Sequence, residues 1–276
     1  MRLFSLALVL LTLPGCMTAS RGVVIVPVTE TAERLSRADA DAIWARDASQ
    51  VGAREPIQNG ERGPLAGAKL LGRVLESLGG REAWREVAAY STRGSSAVPT
   101  AYGEISVASA STVAGADRVR VEQSTPVGNI LVRVDGERAS LNVDGVDRPP
   151  PPGFVASVRS QLLFTVPYVL MHARDLRVSR GADVDGLASL RYTAPGVGAI
   201  YEARIGADGR PVEIHSLQPG PAGLARLVYT VSDYREVGAL VVPHRYVHTA
   251  DGVAAGSTSL AVFRVNPDVS AEAFGG

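Results

Sequence analysis

The side chains with the clearest chemical potential are the four histidines, His172, His215, His244 and His248. His244 and His248 are separated by three residues, the spacing with which one face of a helix can bind zinc. The surrounding segment PHRYVHT alternates as a strand does, and residues i and i+4 of a strand lie about 13 Å apart. One metal ion cannot bridge that distance, so we expect both histidines to be solvated strand residues.

Other reactive residue types lack the partners that their chemistry requires. Serines are numerous, but no G-x-S-x-G nucleophile elbow is present. Asp183 and Asp185 in GADVDG lack the remaining spacing of a calcium loop, which indicates a polar turn. Glu202 and Arg204 belong to an alternating segment that predicts an ordinary half-buried strand. These patterns predict a protein that is not an enzyme and that uses no metal or cofactor.

The only cysteine, Cys16, ends an apolar amino-terminal run, MRLFSLALVLLTLPGC. Arg2 precedes an uncharged stretch from Leu3 to Leu13, which is the order of a secretory signal. This stretch is too short to span a bilayer, which needs roughly 20 helical residues. The alternative is a buried helix in which the cysteine is a small hydrophobic residue.

The residues Leu13-Pro14-Gly15-Cys16 resemble the lipobox of bacterial lipoproteins. The resemblance implies removal of residues 1–15 as a signal peptide, followed by lipidation of Cys16 at its thiol and its new amino terminus. Two or more acyl chains anchor a protein firmly, because each buried methylene contributes about 0.8 kcal/mol. Met17 follows where an aspartate would imply retention in the inner membrane. The lipobox rule therefore implies an outer-membrane anchor that faces the periplasm.

Composition excludes some partners and points to a spacer after the anchor. The 276 residues include 28 basic and 28 acidic side chains, and without a basic patch we expect no nucleic-acid binding. Residues 16–62 are predicted to form the lipidated tether, with a possible helix over residues 29–48 and a polar connector after it. The folded domain is predicted over residues 63–276.

Two helices are predicted at the start of this domain. Pro64 suits the first turn of a helix, and an apolar stripe follows at helical spacing, formed by Ala68, Leu71, Leu75 and Leu78. Gly79 and Gly80 are expected to end this helix. The segment REAWREVAAY predicts a second, short helix with Trp84 facing inward.

From Tyr90 onward the hydrophobic period changes to two, which predicts about twelve strands. The segment NILVRVDGERASLNVDG predicts a hairpin that turns at Asp135-Gly136. In its predicted register, Ile130, Val132 and Val134 are in phase with Ala139, Leu141 and Val143. The fold class is therefore mainly β with helices (α+β), with a curled antiparallel sheet that is expected to form a full or partial barrel.

One helical insertion interrupts the strands at about residues 152–174. It follows the polyproline run DRPPPPG, which cannot continue a sheet, and it is apolar on most sides. Pro167 is expected to split it into two pieces, because an internal proline removes a helical hydrogen bond. Helices apolar on most sides favour a dry interior, so the insertion is predicted to be a lid.

Three segments resemble the lipoprotein-localisation-factor superfamily. They are LESLGGREAWREVAAYSTRG, VSDYREVGALVVPHRYVHTADG and FRVNPDVSAEAF, and together they place the resemblance over about residues 64–276. The resemblance implies an incomplete barrel of about eleven strands with a helical lid and an apolar interior that binds acyl chains. It also implies structural roles for the matched pattern residues, which are Asp233, Tyr234, Arg235, Gly238 and Pro243.

The predicted partners are therefore acyl chains of lipids or lipoproteins, with the membrane contacted through the lipid anchor. A sixteen-carbon chain such as palmitate would gain on the order of 10 kcal/mol from burial of its methylenes. The predicted wall residues are Val119, Val121, Ile130, Val132 and Leu141, and the predicted lid residues are Leu162, Leu163, Val166, Val169 and Leu170.

Two other functions remain open at the level of the sequence. The chain could be a structural or interaction lipoprotein of an envelope assembly complex, with a packed core and no cavity. An envelope hydrolase is the third possibility, although the chain leaves no room for a separate catalytic module.

Overall fold

The computed structural model describes residues 63–101, 103–126, 128–220 and 223–275. The signal peptide, the lipidated Cys16, the tether and the possible helix over residues 29–48 lie outside the described residues. The helices of the described part are α1 Pro64–Ser77, α2 Arg81–Arg85, α3 Phe154–Leu162 and α4 Val166–Met171, followed by a short 3-10 helix, Ala271–Phe274.

The described strands form one 13-stranded antiparallel sheet. Their bounds are β1 Ala89–Thr100, β2 Gly103–Ala114, β3 Arg118–Thr125, β4 Gly128–Asp135, β5 Arg138–Val143, β6 Val146–Arg148, β7 Arg177–Arg180, β8 Ala188–Thr193, β9 Tyr201–Ile205, β10 Pro211–Gly220, β11 Gly223–Val237, β12 Leu240–Ala250 and β13 Val253–Val265.

The strand order makes the helical insertion cross the open side of the sheet. The order is β6-β5-β4-β3-β2-β1-β13-β12-β11-β10-β9-β8-β7, so β6 and β7 are the two edges. Helices α3 and α4 connect these edges along the chain. The predicted incomplete barrel with a helical lid is confirmed. The strand number exceeds the predicted twelve because β6 has three exposed residues, too few to produce a periodic signal.

The predicted hairpin between β4 and β5 is confirmed in its register. Ile130 pairs with Val143, Val132 with Leu141 and Val134 with Ala139. These side chains therefore share one face of the sheet, because cross-strand partners point in the same direction. That face is the concave one, where most of these residues are buried in the core.

Helix α1 begins at Pro64, as expected, and buries the stripe Leu70, Leu71, Val74 and Leu75. Ala68, which the sequence placed in the stripe, is exposed, so the buried face is rotated slightly from the predicted one. Gly79 follows the helix with φ +117°, and a Cβ there would lie against the backbone of Ala239. Only glycine fits this close approach without displacement of β12.

The lid (residues 154–171) is broken where the sequence indicated. Thr165 is extended, with φ −101° and ψ 122°, and Pro167 lies in the first turn of α4. Proline is tolerated there because the first N–H groups of a helix have no intrahelical partner. Every residue of α4 is buried, so this helix is a part of the core. Within the described ranges, no helix combines the length and apolar character needed to cross a membrane.

Candidate functional site

Helix α3 of the lid is fixed to β9 and β10 by a buried polar cluster. The hydroxyls of Ser160 and Tyr201 are 2.6 Å apart, and Tyr201 also donates to the Ser160 carbonyl at 2.8 Å. Ser160 Oγ donates to Gln218 Oε1 at 2.9 Å. On β8, Tyr192 donates to the Leu163 carbonyl at 2.7 Å. The lid is therefore held to this half of the sheet by satisfied hydrogen bonds.

The lid and the adjacent His172 contact the β1–β6 half of the sheet mainly at its turns. Arg159 forms a 2.7 Å ion pair with the exposed Glu137 in the β4–β5 hairpin. Tyr168 donates to the Ala116 carbonyl at 2.9 Å, and His172 Nε2 lies 3.1 Å from the Gly115 carbonyl. An exposed ion pair contributes little free energy, so the attachment of the lid to β4 and β5 is the weaker one.

A cavity of about 170 Å³ lies between the lid and the middle of the sheet. Its floor is formed by the concave faces of β1, β2, β3, β11, β12 and β13, and its roof by the lid. The floor residues are Tyr90, Thr92, Ser96, Ser109, Ser111, Val113, Val119, Val121, Gln123, Tyr229, Tyr246, His248, Thr258, Leu260 and Phe263, and the roof residues are Val158, Gln161, Leu162, Thr165 and Pro167.

The cavity is small for its predicted ligand. Its volume is close to the roughly 150 Å³ cavity that holds one benzene molecule, and below the roughly 300–1,000 Å³ of most ligand pockets. A wider groove of about 550 Å³ lies on the opposite face of the sheet, because its lining residues Ala110, Glu122 and Leu131 alternate along their strands with the residues that face the cavity. A sixteen-carbon chain therefore exceeds the closed cavity and requires displacement of the lid.

Three of the predicted binding residues, Val119, Val121 and Leu162, line the cavity. Ile130 borders the groove and not the cavity. The remaining six do not line the cavity and are packed into the core around it: Val132, Leu141, Leu163, Val166, Val169 and Leu170. Val119 and Val121 of the predicted wall and Leu162 of the predicted lid therefore lie on opposite sides of the cavity.

The floor of the cavity is more polar than the predicted apolar interior. Thr92 and Ser111 hydroxyls lie 2.7 Å apart, and Ser96 and Thr258 hydroxyls lie 2.8 Å apart. A sequence signal for this floor exists, because serines recur at alternate positions in SVASAST of β2, where Ser109 and Ser111 face inward. Apolar alternation alone does not reveal this polar floor.

A row of rings crosses the concave face beneath the break in the lid. Phe164, in that break, stacks on Tyr229 with centroids 4.4 Å apart and meets Tyr201 edge-on at 5.0 Å. Tyr229 stacks in turn on His248 at 5.1 Å. Tyr229 and His248 are direct partners on β11 and β12, so strand register places them side by side.

The expectation of solvated histidines on β12 is wrong. His244 and His248 are each only 4% exposed, because residues four apart on a strand share a face and this face is covered. Burial lowers the pKa of His248 to about 4, so its imidazole is neutral at neutral pH. Burial likewise raises the pKa of the neighbouring Tyr229 well above its usual value.

Three residues of the cavity wall carry buried polar atoms without a hydrogen-bond partner in the described part of the chain. They are Gln161 Oε1, Tyr229 Oη and both ring nitrogens of His248. The side chains are 6%, 6% and 4% exposed. An unpaired buried polar group costs about 1–3 kcal/mol, so this concentration beside one cavity distinguishes the site from the rest of the core.

Charged residues gather away from the cavity, on β8, β9 and β10. Glu202 accepts a hydrogen bond from Arg191 Nε at 3.0 Å, and His215 Nε2 lies 2.8 Å from Glu213 Oε2. Glu202 is buried, and so are Tyr201, Ala203 and Ile205, whereas Arg204 is partly exposed. The expectation of a half-buried strand is therefore wrong at Glu202. Over the described residues, no group of three or more His, Cys, Asp or Glu side chains could hold a metal ion.

The fold has counterparts among solved bacterial structures. A DUF1329 family protein from Desulfovibrio piger has a TM-score of 0.51 at 10% identity, with 76% of this chain and 96% of that chain covered. A LolA superfamily protein from Nitrosomonas europaea has a TM-score of 0.49 at 13% identity, with 73% and 95% covered. An outer membrane lipoprotein-sorting protein domain from Vibrio parahaemolyticus has a TM-score of 0.48 at 12% identity, with 76% and 97% covered.

No family model matches the sequence, and no curated protein matches it. At these identities the likeness concerns the fold alone. The chain is similar in fold to the DUF1329 family protein, and its open sheet with a helical lid is the architecture that the predicted resemblance implied.

Proposed function

We propose that this protein binds an acyl chain of a lipid or lipoprotein beneath its lid and serves envelope lipid or lipoprotein trafficking without catalysis. The observation that carries the proposal is the cavity between lid and sheet, with Val119, Val121 and Leu162 in its walls. Burial of methylenes supplies the binding free energy, at about 0.8 kcal/mol for each.

Binding of a long chain requires the lid to yield. The closed cavity holds about 170 Å³, which is too small for a sixteen-carbon chain, so such a chain lifts the lid. The contacts of Arg159 with Glu137 and the Gly136 carbonyl are at the β4–β5 hairpin and are partly exposed. The Ser160–Tyr201–Gln218 cluster on the opposite side is buried. Opening therefore proceeds from the β4–β5 side, with the buried cluster as the fixed end.

The proposal includes the cellular location predicted from the sequence. Lipidation of Cys16 anchors the protein in the outer membrane, and the tether over residues 16–62 lets the domain face the periplasm. This part of the proposal depends on the lipobox resemblance, because residues 1–62 lie outside the described ranges.

The small cavity favours one competing function. A structural or interaction lipoprotein of an envelope complex needs no ligand, and most of the concave face is already filled by core side chains. The two functions differ in one measurable property, namely uptake of an acyl ligand by the purified protein.

A pair of valine substitutions tests the proposed function. Val121→Phe should weaken binding of an uncharged fluorescent acyl probe by roughly tenfold or more, about 1.4 kcal/mol, because the larger ring fills the cavity. Val143→Phe is the matched control, since Val143 is also partly buried against the core but does not line the cavity. Binding would be measured by fluorescence titration, with circular dichroism to verify folding.

Equal affinities of the two folded variants would place the ligand elsewhere and overturn the site. Absence of uptake by the unaltered protein, together with empty protein in native mass spectrometry after isolation from its own membrane, would overturn the function itself and leave the interaction lipoprotein.

A further inference from the structure

The unpaired polar groups beside the cavity bear on which class of acyl ligand the cavity binds. Gln161 Oε1, Tyr229 Oη and the two ring nitrogens of His248 lack partners among the described residues. Other polar pairs of the same wall are satisfied, as in Thr92–Ser111 and Ser96–Thr258. Native cores seldom leave buried polar groups unpaired without a functional reason.

These unpaired groups require a partner that both donates and accepts hydrogen bonds. A neutral imidazole has one N–H donor and one acceptor nitrogen, and a tyrosine hydroxyl can do either. The side-chain oxygen of Gln161 only accepts. A purely apolar ligand would leave all of these protein atoms unsatisfied. A ligand group that only accepts hydrogen bonds would still leave Gln161 Oε1 and the acceptor nitrogen of His248 without a donor.

The wall offers no compensation for a charged ligand. None of the described residues that line the cavity is a lysine, arginine, aspartate or glutamate. His248 is buried, and its lowered pKa means that it does not supply a positive charge at neutral pH. An ionised carboxylate transferred here would lose its hydration without a counter-charge, which is costly.

The positions of these groups also give the ligand a direction. Tyr229 and His248 lie on β11 and β12, on one side of the cavity floor. Ser109 and Gln123 lie on β2 and β3 on the other side. The polar end of a ligand at His248 would leave its hydrocarbon chain directed across the floor toward β2 and β3.

We propose that the ligand is an acyl compound with an uncharged polar end, an amide or a hydroxyl, held by Gln161, Tyr229 and His248 while its chain extends across the cavity floor toward β2 and β3. This inference rests on the proposed function and adds the class of ligand to it. A free fatty-acid anion is the disfavoured ligand.

Four ligands with the same ten-carbon chain test the inference on the full chain at neutral pH. Decanamide and 1-decanol both donate and accept, N,N-dimethyldecanamide only accepts, and decanoate is charged. We expect decanamide and decanol to bind about tenfold more tightly than the other two, as one or two added hydrogen bonds would provide. Displacement of a fluorescent acyl probe gives the four affinities.

Variants then assign the preference to the named side chains. Tyr229→Phe and His248→Phe keep a stacked ring and remove the polar atoms, so each should reduce the tenfold preference to about threefold or less. Thr258→Val is the matched control, because Thr258 lines the same cavity but its hydroxyl already pairs with Ser96; it should keep the preference.

Each result decides between the two proposals. Equal affinity of the unaltered protein for all four ligands overturns the inference but supports acyl binding. Tighter binding of decanoate, or an unchanged preference in both folded ring variants, also overturns it. Failure of every ligand to displace the probe, or of the probe to bind, overturns both proposals together.

Discussion

Two buried tyrosines on neighbouring parts of the concave face differ in how their hydroxyls are satisfied. Tyr201 exchanges hydrogen bonds with Ser160 and receives one from Gln218 at 3.2 Å. The hydroxyl of Tyr229 has no partner in the described chain. Both rings contact Phe164. The first tyrosine therefore stabilises the empty protein through its hydroxyl, whereas the second retains a polar group that folding alone does not use.

This difference predicts opposite responses to the same substitution. Tyr201→Phe should lower the free energy of unfolding by about 1–3 kcal/mol, because it leaves Ser160 and Gln218 with unmet hydrogen bonds in a buried place. Tyr229→Phe should leave it unchanged or raise it, because only an unsatisfied group is removed. Urea unfolding without ligand measures both.

Both variants are compared with the unaltered protein in the absence of ligand. If Tyr229→Phe destabilised the empty protein as much as Tyr201→Phe, the hydroxyl of Tyr229 would have a structural partner. A ligand at Tyr229 and His248 would then find no unpaired hydroxyl on Tyr229.

Among the elements, α1 shows how sequence spacing and close packing act together. The helix packs on β7, and its Gly67 lies so near the strand that a Cβ would be 2.5 Å from the Ser179 Cα. Gly72, one and a half turns along the same helix, has open surroundings, with only the end of Arg81 at 3.6 Å. The two glycines look equivalent in the sequence and differ only in what lies opposite them.

Alanine substitutions separate these two roles. Gly67→Ala should destabilise the protein by about 1–3 kcal/mol, because the added methyl must push α1 away from the β7 backbone. Gly72→Ala should stabilise it by about 0.5–1 kcal/mol, the usual gain of alanine over glycine inside a helix. Thermal unfolding of the two variants gives the comparison.

A stabilised Gly67→Ala variant would show that α1 and β7 are farther apart than the structure has them. β7 is an edge strand and follows the lid along the chain. In that case α1 would cover this edge of the sheet less closely than the structure shows.

At the scale of the whole molecule, the arrangement of the sheet explains why a lid exists at all. The first and last long strands, β1 and β13, pair in the middle of the sheet, which leaves β6 and β7 as its edges. The segment between those edges has to cross the concave side. Because it is apolar and broken at Pro167, it covers that side as two short helices and encloses the cavity.

The proposed anchor predicts where the whole molecule resides. Cys16→Ser should move the protein from the membrane fraction to the soluble fraction of the cell envelope, because it removes the residue to which the acyl chains attach. Immunoblots of separated fractions measure the shift, and labelling with a radioactive fatty acid should be lost with it. A protein that stays in the membrane fraction without Cys16 would contradict the lipid anchor.

Local patterns in the sequence determined most of the elements. The register of the β4–β5 hairpin, the strand periodicity and the break at Pro167 follow from turn residues, alternation and the missing N–H of proline, and all three are confirmed. These features depend on residues only a few positions apart, so the linear sequence contains them. The lipid anchor at Cys16 belongs to the same class of local signal, although it stays a prediction.

The tertiary structure alone decided which side chains meet. Alternation indicates that His244 and His248 share a face, but the covering of that face depends on a lid that follows β6, far away in the sequence. The contact of Tyr229 with His248 depends on the pairing of β11 with β12, and that of both with the cavity depends on the lid. Burial and hydrogen-bond satisfaction are properties of such distant contacts, and for this reason the unpaired polar groups beside the cavity could not be predicted from spacing.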